Sequence, residues 1–159
     1  MASSSSHLIG VISDTHGLLR PEAVQVLTGC EQILHAGDIG KPEVLDELHK
    51  LAPTRAVRGN IDTGEWAAAL PLSLLLEIEG QVIYVLHSLA ELELNPAAAG
   101  IRVVVSGHSH QAFMEERAGV LYLNPGSAGP RRFGKPVTLA RLRISQNKIE
   151  PELIDLPID

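Results

Sequence analysis

The first half of the chain alternates short runs that are rich in apolar residues with segments whose apolar residues follow a helical period. The apolar runs Leu8–Ser13, Gln32–Ala36 and Thr54–Val57 predict buried strands. Between them, Pro21–Leu27 and Pro42–Leu51 have a proline where a helix would begin and apolar residues on one face. The resulting β-α-β-α-β order favours a mostly parallel sheet covered by helices.

The second half is richer in predicted strands. Apolar segments flank the dipeptides Glu79-Gly80 and Ala118-Gly119, which predict two hairpins, and another pair flanks residues 145–148. Asn95-Pro96 and three alanines predict a short capped helix that ends at Gly100. The predicted strands are Leu72–Ile78, Gln81–Leu86, Ile101–Ser106, Ala112–Arg117, Val120–Asn124, Val137–Ile144 and Ile149–Ile154. Two packed sheets with helices outside would bury so many strands.

Length and composition are those of one soluble domain. The chain has 159 residues, of which 45% are hydrophobic and 20% are charged. We expect a single domain over residues 8–159, preceded by a disordered Ser-rich segment at 1–7 that lacks the apolar core of a secretory signal. The single cysteine excludes an internal disulfide, and no apolar run approaches the roughly 20 residues of a membrane span, so we expect a cytoplasmic protein.

Charge narrows the classes of partner. Thirteen basic against nineteen acidic residues give a net charge of −6. This balance argues against extended nucleic-acid binding and against binding to an anionic membrane, both of which need a basic face. The net negative charge does not exclude a small anionic substrate, because bound cations can reverse the electrostatic field at a local site.

Polar clusters follow five of the predicted strands. They are Asp14-Thr15-His16-Gly17, Gly37-Asp38, Arg58-Gly59-Asn60-Ile61-Asp62, His87 and Gly107-His108-Ser109-His110. The carboxyl ends of parallel strands open into one crevice, where these clusters would converge. Carboxylate and amide oxygens suit hard cations, and imidazole suits manganese, iron, nickel, zinc or cobalt. Taken alone, Asp-x-His, Gly-Asp and Gly-Asn are common turns, His87 suits a core or rim histidine, and Gly-His-Ser-His suits a metal role or a structural one equally. The five together predict a metal site.

Residue spacing supports this interpretation. Asp14 and His16 are two residues apart, as are His108 and His110. In extended backbone, residues at this spacing point to the same side. We therefore expect each pair to face one site.

The five clusters in this order resemble the motifs of the calcineurin-like metallophosphoesterases. Asn124-Pro125-Gly126-Ser127, followed by Pro130-Arg131, resembles the small bacterial and archaeal phosphodiesterase branch, which is related to the eukaryotic retromer subunit Vps29. The resemblance extends from about Leu8 to the C-terminal strands. It implies an α/β fold of two packed mixed β-sheets flanked by helices, a four-layer α-β-β-α sandwich.

The resemblance also implies a ligand set for two divalent metal ions. One ion would be held by Asp14, His16, Asp38 and His110, and the other by Asp38, Asn60, His87 and His108. Asp38 would bridge the ions, and Asp38, Asn60 and His108 would act in catalysis through the metals and a bridging water. We expect manganese, with nickel, iron, zinc, cobalt or magnesium as alternatives. The mechanistic hypothesis is in-line attack of a metal-bridging hydroxide on phosphorus.

Two positions depart from the family pattern and leave the general acid unassigned. Many relatives have a histidine where this chain has Ile61, and relatives in this branch often read His-Gly-His where it has His87-Ser88-Leu89. We therefore expect a preference for esters with acidic leaving groups.

Several further residues have two interpretations each. Asp62 and His35 are candidates to orient ligands from behind, but Asp62 equally suits a turn cap and His35 a hydrogen-bonded structural histidine. Arg131 and Arg58 are candidate phosphate contacts, whereas Arg132 is expected to be a surface arginine.

These observations predict a metal-dependent phosphoesterase, more specifically a phosphodiesterase, that acts on a small phosphate ester. The alternative is a catalytically weak protein-binding scaffold of the Vps29 type. The presence of every expected ligand type favours the enzyme, and the acidic balance disfavours a nuclease. A homodimer is left open.

Overall fold

The computed structural model describes residues 6–132 and 134–158, which form ten strands and three short α-helices. The strands are β1 (Ser6–Ile12), β2 (Gln32–His35), β3 (Thr54–Ala56), β4 (Ser73–Ile78), β5 (Gln81–Leu86), β6 (Val103–Val105), β7 (Phe113–Arg117), β8 (Val120–Asn124), β9 (Thr138–Ser145) and β10 (Ile149–Asp155). The helices are α1 (Pro21–Leu27), α2 (Pro42–Leu51) and α3 (Glu65–Ala68).

The strands form two mixed five-stranded sheets, which confirms the predicted fold class. The first sheet has the order β10-β9-β1-β2-β3, in which β1, β2 and β3 are parallel and the β9–β10 hairpin adds two antiparallel strands beside β1. The second has the order β4-β5-β6-β8-β7, with parallel β5, β6 and β8 between antiparallel edge strands. The carboxyl ends of β1, β2 and β3 therefore lie at one edge, and those of β5, β6 and β8 lie together in the second sheet.

Two apolar cores hold the layers together. Residues of both sheets, such as Val11 and Leu142 from the first and Ile83 and Val105 from the second, form the core between the sheets and are fully buried. A second core lies between the first sheet and its helices, and Trp66 of α3 packs against it. Among the described residues, no helix is both long and apolar enough to cross a bilayer.

The outer face of the second sheet is covered differently. Its buried residues Leu86, Ile101, Val104 and Val120 pack under a 3₁₀ turn at Leu89–Glu91 and under neighbouring loop residues. In the described part of the chain, all three α-helices precede β4 in sequence. The outer layer on this side is therefore thinner than the helical layer of the predicted sandwich.

The predicted helix ending at Gly100 is wrong, because residues 96–100 form a series of turns. The cap itself is present, since the Ala98 N–H donates to Asn95 Oδ1 over 3.2 Å. The Ile101 N–H, however, already returns to the Pro96 carbonyl at 2.9 Å. With so few residues between the cap and Gly100, a helix would not offset the cost of its own nucleation.

The start of the domain also differs from the prediction. Ser6 and His7, expected to be disordered, belong to β1 and pair with Ser145 and Ile144 of β9. The rest of the predicted disordered segment, residues 1–5, lies outside the described residues. β9 extends one residue beyond the prediction, which gives Ser6 a partner.

Candidate metal centre

The loops that follow β1 and β2 are joined side by side at the carboxyl edge of the first sheet. The Asp14 N–H donates to the Gly37 carbonyl at 3.0 Å, and the His16 N–H donates to the Asp38 carbonyl at the same distance. From the second sheet, the Gly107 N–H donates to the His87 carbonyl at 2.9 Å, which joins the loops after β6 and β5. The polar clusters identified in the sequence are thus brought together from both sheets.

Six of the seven predicted metal ligands fall into two groups of three. One group is Asp14, His16 and His110, and the other is Asp38, His87 and His108. Within each group, one candidate ligand atom per residue lies within 4.8 Å of the others. Each group combines an aspartate from the first sheet with at least one histidine from the second.

Asp38 lies between the two groups. Its Oδ2 is 3.6 Å from His16 Nε2 in the first group and 3.3 Å from His87 Nε2 in its own. Its Oδ1 accepts a hydrogen bond of 3.1 Å from the Ile61 N–H, which fixes the rotation of the carboxylate. Burial alone would raise the pKa of Asp38, but the contact with His87 and the hydrogen bond from the Ile61 N–H outweigh burial and lower it, so the group is ionised at neutral pH. One oxygen of an ionised carboxylate therefore faces both groups.

Asp14 is held in a similar way and is fully buried. Its Oδ2 accepts hydrogen bonds from Ser13 Oγ at 2.7 Å and from the His108 N–H at 3.1 Å. Its Oδ1 points instead toward His16 Nε2 at 3.7 Å and His110 Nε2 at 3.4 Å. Burial favours the neutral acid, but the contacts with His16 and Ser13 more than offset it, and the pKa of Asp14 is lowered.

Buried atoms without hydrogen-bond partners provide a test of whether these residues fit a cation. Asp14 Oδ1, His16 Nε2 and His87 Nε2 are all buried and have no hydrogen-bond partner. His87 Nδ1 lies 2.7 Å from the Ala36 carbonyl and donates its proton there, so Nε2 carries the lone pair. Buried polar atoms without partners are rare because they cost free energy. Cations bound in the two groups would satisfy all three atoms. The residues therefore fit divalent metal ions.

Five of the ligands have a left-handed backbone conformation. Their φ angles are 55° for Asp14, 46° for His16, 57° for Asp38, 72° for His108 and 62° for His110. Such a conformation costs a non-glycine residue roughly 1–2 kcal/mol and is concentrated at functional sites. The expectation that Asp14 and His16 share a side through extended backbone is wrong, as it is for the two histidines. Each pair faces the site because the chain turns sharply there.

Asp62 fixes the two loops that carry Asp38 and Asn60. It is 4% exposed, and its Oδ2 accepts from the Gly59 N–H at 2.8 Å and the Ile39 N–H at 3.2 Å, while Oδ1 accepts from the Gly40 N–H at 3.0 Å. The two interpretations of Asp62 thus coincide, since it caps backbone amides and thereby positions the loops. Asn60 is exposed beside these contacts, and its role as a ligand stays a prediction.

His35 joins the loops after β1 and β2 from beneath. It is fully buried, its Nδ1 accepts from the Gly37 N–H at 3.0 Å, and its Nε2 lies 3.0 Å from Thr15 Oγ1. Thr15 Oγ1 donates to the Ile39 carbonyl at 2.8 Å, so it accepts the His35 Nε2–H. These partners require a neutral ring, and burial lowers the pKa of His35 to about 4. His35 is thus a hydrogen-bonded histidine that supports the loops of the predicted ligands without joining either group.

The neutral state of His35 predicts an acid-sensitive contribution to stability. Its pKa is 6.5 when unfolded and about 4 when folded, so the contribution is complete above pH 6.5 and is lost as pH falls toward 4. Relative to His35→Asn, the metal-free protein should lose about 3 kcal/mol of unfolding free energy over this range. Urea denaturation at several pH values measures it. His49→Asn, at an exposed position of α2, is the control, and parallel pH profiles for wild type and His35→Asn would contradict the prediction.

The sequence marked Asn124-Pro125-Gly126-Ser127 as a family motif but assigned no role to its side chains, which anchor these loops from the end of β8. Asn124 Nδ2 donates to the Gly107 carbonyl at 3.0 Å and to Ser109 Oγ at 3.1 Å, and Ser127 Oγ donates to the Asp14 carbonyl at 3.0 Å. Asn124–Ser127 was a visible signal, because it too is a polar cluster at the end of a predicted strand. β8 runs parallel to β6, so its carboxyl end lies beside the histidine loop.

The arginines are less closely tied to the site than its ligands. Arg58 is half-buried and Arg131 is exposed, and among the described residues neither side chain has a hydrogen bond or ion pair with a ligand. Arg132 is exposed, as expected of a surface arginine. Nevertheless, after the larger effect of burial, the Arg132 charge is among those that lower the pKa of His110. Arg132 therefore acts electrostatically on His110, one of the predicted ligands.

Comparison with known proteins finds relatives across nearly the whole chain. Residues 8–147 match the model of the calcineurin-like phosphoesterase superfamily domain. The chain is 39% identical over 159 residues to a probable metallophosphoesterase of Methanothermobacter thermautotrophicus, covering 92% of this chain and 91% of that protein.

Solved structures also resemble this chain over nearly its whole length. An archaeal phosphodiesterase is similar with a TM-score of 0.77 and 26% identity, over 92% of this chain and 99% of that one. Vacuolar protein sorting 29 from Cryptosporidium parvum has a TM-score of 0.82 over 95% of this chain and 92% of its own. At 19% identity it shows the shared fold alone.

Proposed function

Because the chain belongs to the calcineurin-like phosphoesterase superfamily, a family of metal-dependent hydrolases, we propose that it is a dinuclear-metal phosphodiesterase. The observation that carries the proposal is the position of Asp38 Oδ2, 3.6 Å from His16 Nε2 and 3.3 Å from His87 Nε2. A single carboxylate oxygen facing two groups of ligands suits a pair of ions. The likeness to an archaeal phosphodiesterase supports the choice of a diester substrate.

In this proposal, the ligands hold two divalent cations, with manganese expected. Asp14, His16 and His110 would hold one ion with Asp38, and His87, His108 and Asn60 would hold the other with Asp38. Bound there, divalent ions lower the pKa of a coordinated water toward neutrality and offset charge on phosphoryl oxygens. Two carboxylates contribute two negative charges against the four positive charges of the ions. The centre would therefore attract an anionic ester despite the net charge of −6.

The protein's own groups orient this centre before substrate arrives. Ser13 Oγ and the His108 N–H occupy one oxygen of Asp14, and the Ile61 N–H occupies one oxygen of Asp38. In each carboxylate, the other oxygen therefore faces the centre. Because these donors already fix the two carboxylates, the centre needs no reorganisation during the reaction. Such preorganisation is a main source of electrostatic catalysis.

Leaving-group protonation is the step that these residues support least. Ile61, where many relatives have a histidine, is 41% exposed and carries no proton, and Leu89 begins the 3₁₀ turn after His87. For a series of aryl phosphodiesters, we expect kcat/KM to fall by roughly 10²-fold or more as the leaving-group pKa rises from about 7 to 10, since a general acid contributes about 10²–10⁴-fold. A rate independent of leaving-group pKa would show that a proton donor exists.

Substitution of Ile61 tests the same point in the opposite direction. Ile61→His places an imidazole at an exposed position beside Asn60, so the fold should tolerate it. The variant should depend less steeply on leaving-group pKa than wild type, with the largest gain for the least acidic leaving groups. Ile61→Gln is the matched control, because it adds a polar side chain that has no titratable proton.

The experiment that tests the proposed function uses metal-stripped protein. Manganese, nickel, magnesium and zinc are added separately, and turnover of generic phosphomonoesters and phosphodiesters is measured with the metal content per chain. We expect hydrolysis only after metal addition, with two ions per chain and faster turnover of diesters. Absence of turnover with every metal would reject the enzyme.

A protein-binding scaffold is the second candidate, and one surface favours it. Leu72 is 60% exposed, and Leu75 of the edge strand β4 is 63% exposed. Such a role would not require the aspartates and histidines of the centre to lie together around buried, unpartnered atoms. Their arrangement is the reason that we place hydrolysis first.

A further inference from the structure

The part of the chain that follows the β7–β8 turn has an unusual charge distribution. Residues 118–148 contain no aspartate or glutamate, although the whole chain is acidic. Their basic residues are Arg131, Arg132, Lys135, Arg141, Arg143 and Lys148. The proposed function uses at most one of these cations, so the others need a separate explanation.

Acidic residues of β10 account for the cations of the β9–β10 hairpin. Arg141 Nη2 lies 2.9 Å from Glu152 Oε1, and Lys148 Nζ lies 3.9 Å from Glu150 Oε1. Arg143 is directly opposite Glu150 in the β9–β10 register. These three cations therefore lie on a surface whose charge is largely balanced.

The two neighbouring arginines of this part of the chain lie in a different environment. Arg131 and Arg132 are exposed, and no carboxylate of the described residues lies within ion-pair distance of either. Lys135 Nζ donates to the Ser109 carbonyl at 2.8 Å. Ser109 lies between His108 and His110, so this bond fixes the ammonium group one residue from two metal-ligand histidines. Positive charge therefore accumulates beside the metal centre.

A cleft connects Lys135 to the centre. It has a volume of about 380 Å³, is open to solvent, and is lined by His110, Gln111, Ala112, Lys135 and Pro136. His110 belongs to both the cleft and the first group of ligands. A molecule bound at the metals could thus extend past His110 into a space lined by Lys135 and by the apolar side chains of Ala112 and Pro136.

We propose that this cleft binds a second phosphate group of the substrate, so that the enzyme acts on phosphate esters that carry two phosphates. The inference rests on the proposed function, in which the metals take the scissile phosphate. A terminal phosphate carries a charge of about −1.5 to −2 at neutral pH, so it pairs with a cationic side chain more strongly than a carboxylate ligand of charge −1 does. Lys135 lines the cleft and offers an ammonium group to such a phosphate, while Ala112 and Pro136 offer apolar contact to the linking part of the molecule.

The test compares two substrates that share the scissile bond and the leaving group. They are thymidine 5′-(4-nitrophenyl phosphate) and the same compound with a 3′-phosphate. We expect kcat/KM to be roughly tenfold higher for the doubly phosphorylated substrate, because a charge-assisted contact contributes about that factor. The gain should appear mainly in KM, since the second phosphate binds equally in ground and transition states.

Substitutions show whether the preference comes from the cleft. Lys135→Gln keeps a donor for the Ser109 carbonyl but removes the charge, and Arg132→Gln removes the neighbouring one. Both variants should bind metal as wild type does and should lose most of the preference for the second phosphate. Arg143→Gln, on the balanced surface of the hairpin, is the matched control and should keep the preference.

Calorimetry with the products gives a readout that does not need turnover. Thymidine 3′,5′-bisphosphate should bind the manganese-loaded protein roughly tenfold more tightly than thymidine 5′-phosphate, and Lys135→Gln should reduce this difference. Pyrophosphate against phosphate tests a shorter spacing. If neither substrate is hydrolysed but the binding difference persists, the proposed function fails and the cleft assignment stands. Equal affinities within both ligand pairs, or a difference that Lys135→Gln leaves intact, would overturn the inference.

Discussion

Replacement of Asp38 by alanine is expected to reduce metal-dependent kcat/KM by a factor on the order of 10³, equivalent to about 4 kcal/mol of transition-state stabilisation. The reason is geometric, because Asp38 Oδ2 faces both groups of ligands, 3.6 Å from His16 Nε2 and 3.3 Å from His87 Nε2. In the proposed dinuclear centre, loss of this oxygen would remove a ligand from each ion at once. Elemental analysis of the purified variant should therefore show reduced occupancy of both sites, in parallel with the loss of hydrolysis.

His108→Ala and Asp46→Ala separate this effect from general damage. His108 is an exposed member of the second group only, so its loss should lower metal content by about one ion per chain. Asp46 is exposed on α2 and should be neutral. Unfolding of the metal-free proteins checks that Asp38→Ala still folds. Wild-type metal content and activity in Asp38→Ala would refute the assignment of Asp38 as the bridge.

Gly59→Ala is expected to damage the centre without changing any ligand. A Cβ on Gly59 would overlap both the backbone nitrogen and Oδ1 of Asp38, so the two loops must move apart. Displacement of a catalytic group by about 1 Å costs roughly 10²-fold in rate, and overpacking costs about 1–3 kcal/mol of stability. Steady-state kinetics, metal titration and urea denaturation together measure these losses.

Gly100→Ala is the matched control for the added methyl group. Gly100 has a φ of +78°, but a Cβ there would have nothing within 4 Å. Its replacement should cost only the roughly 1–2 kcal/mol of a left-handed alanine and should leave hydrolysis intact. If Gly59→Ala were as active as Gly100→Ala, close packing of the two loops would not be what positions Asp38.

Local signals account for what the sequence predicted well. α1 and α2 have the predicted bounds, because a proline begins each helix and the apolar period continues to its end. The Glu79-Gly80 and Ala118-Gly119 turns specify their hairpins through residues that adopt positive φ. The polar clusters could be assigned to a common crevice because each follows a strand whose carboxyl end lies beside those of its parallel neighbours.

Features that depend on distant partners could not be read in this way. Ser6 and His7 have no strand signal of their own and become part of β1 because β9 lies beside it. The sharp turns at Asp14 and His16 arise from hydrogen bonds to the neighbouring loop after β2, which spacing alone does not reveal. The neutral state of His35 likewise depends on Thr15 and Gly37, which meet it only in the folded chain.

Each group of ligands takes side chains from both sheets, and this makes the proposed ions crosslinks as well as catalysts. A ligand that binds only the folded state stabilises it by about 1.4 kcal/mol for each tenfold excess over its dissociation constant. Two ions that join the sheets would thus couple global unfolding to the concentration of free metal. A chelator would then act as a denaturant, and metal supply would govern how long the folded molecule survives as well as how fast it works.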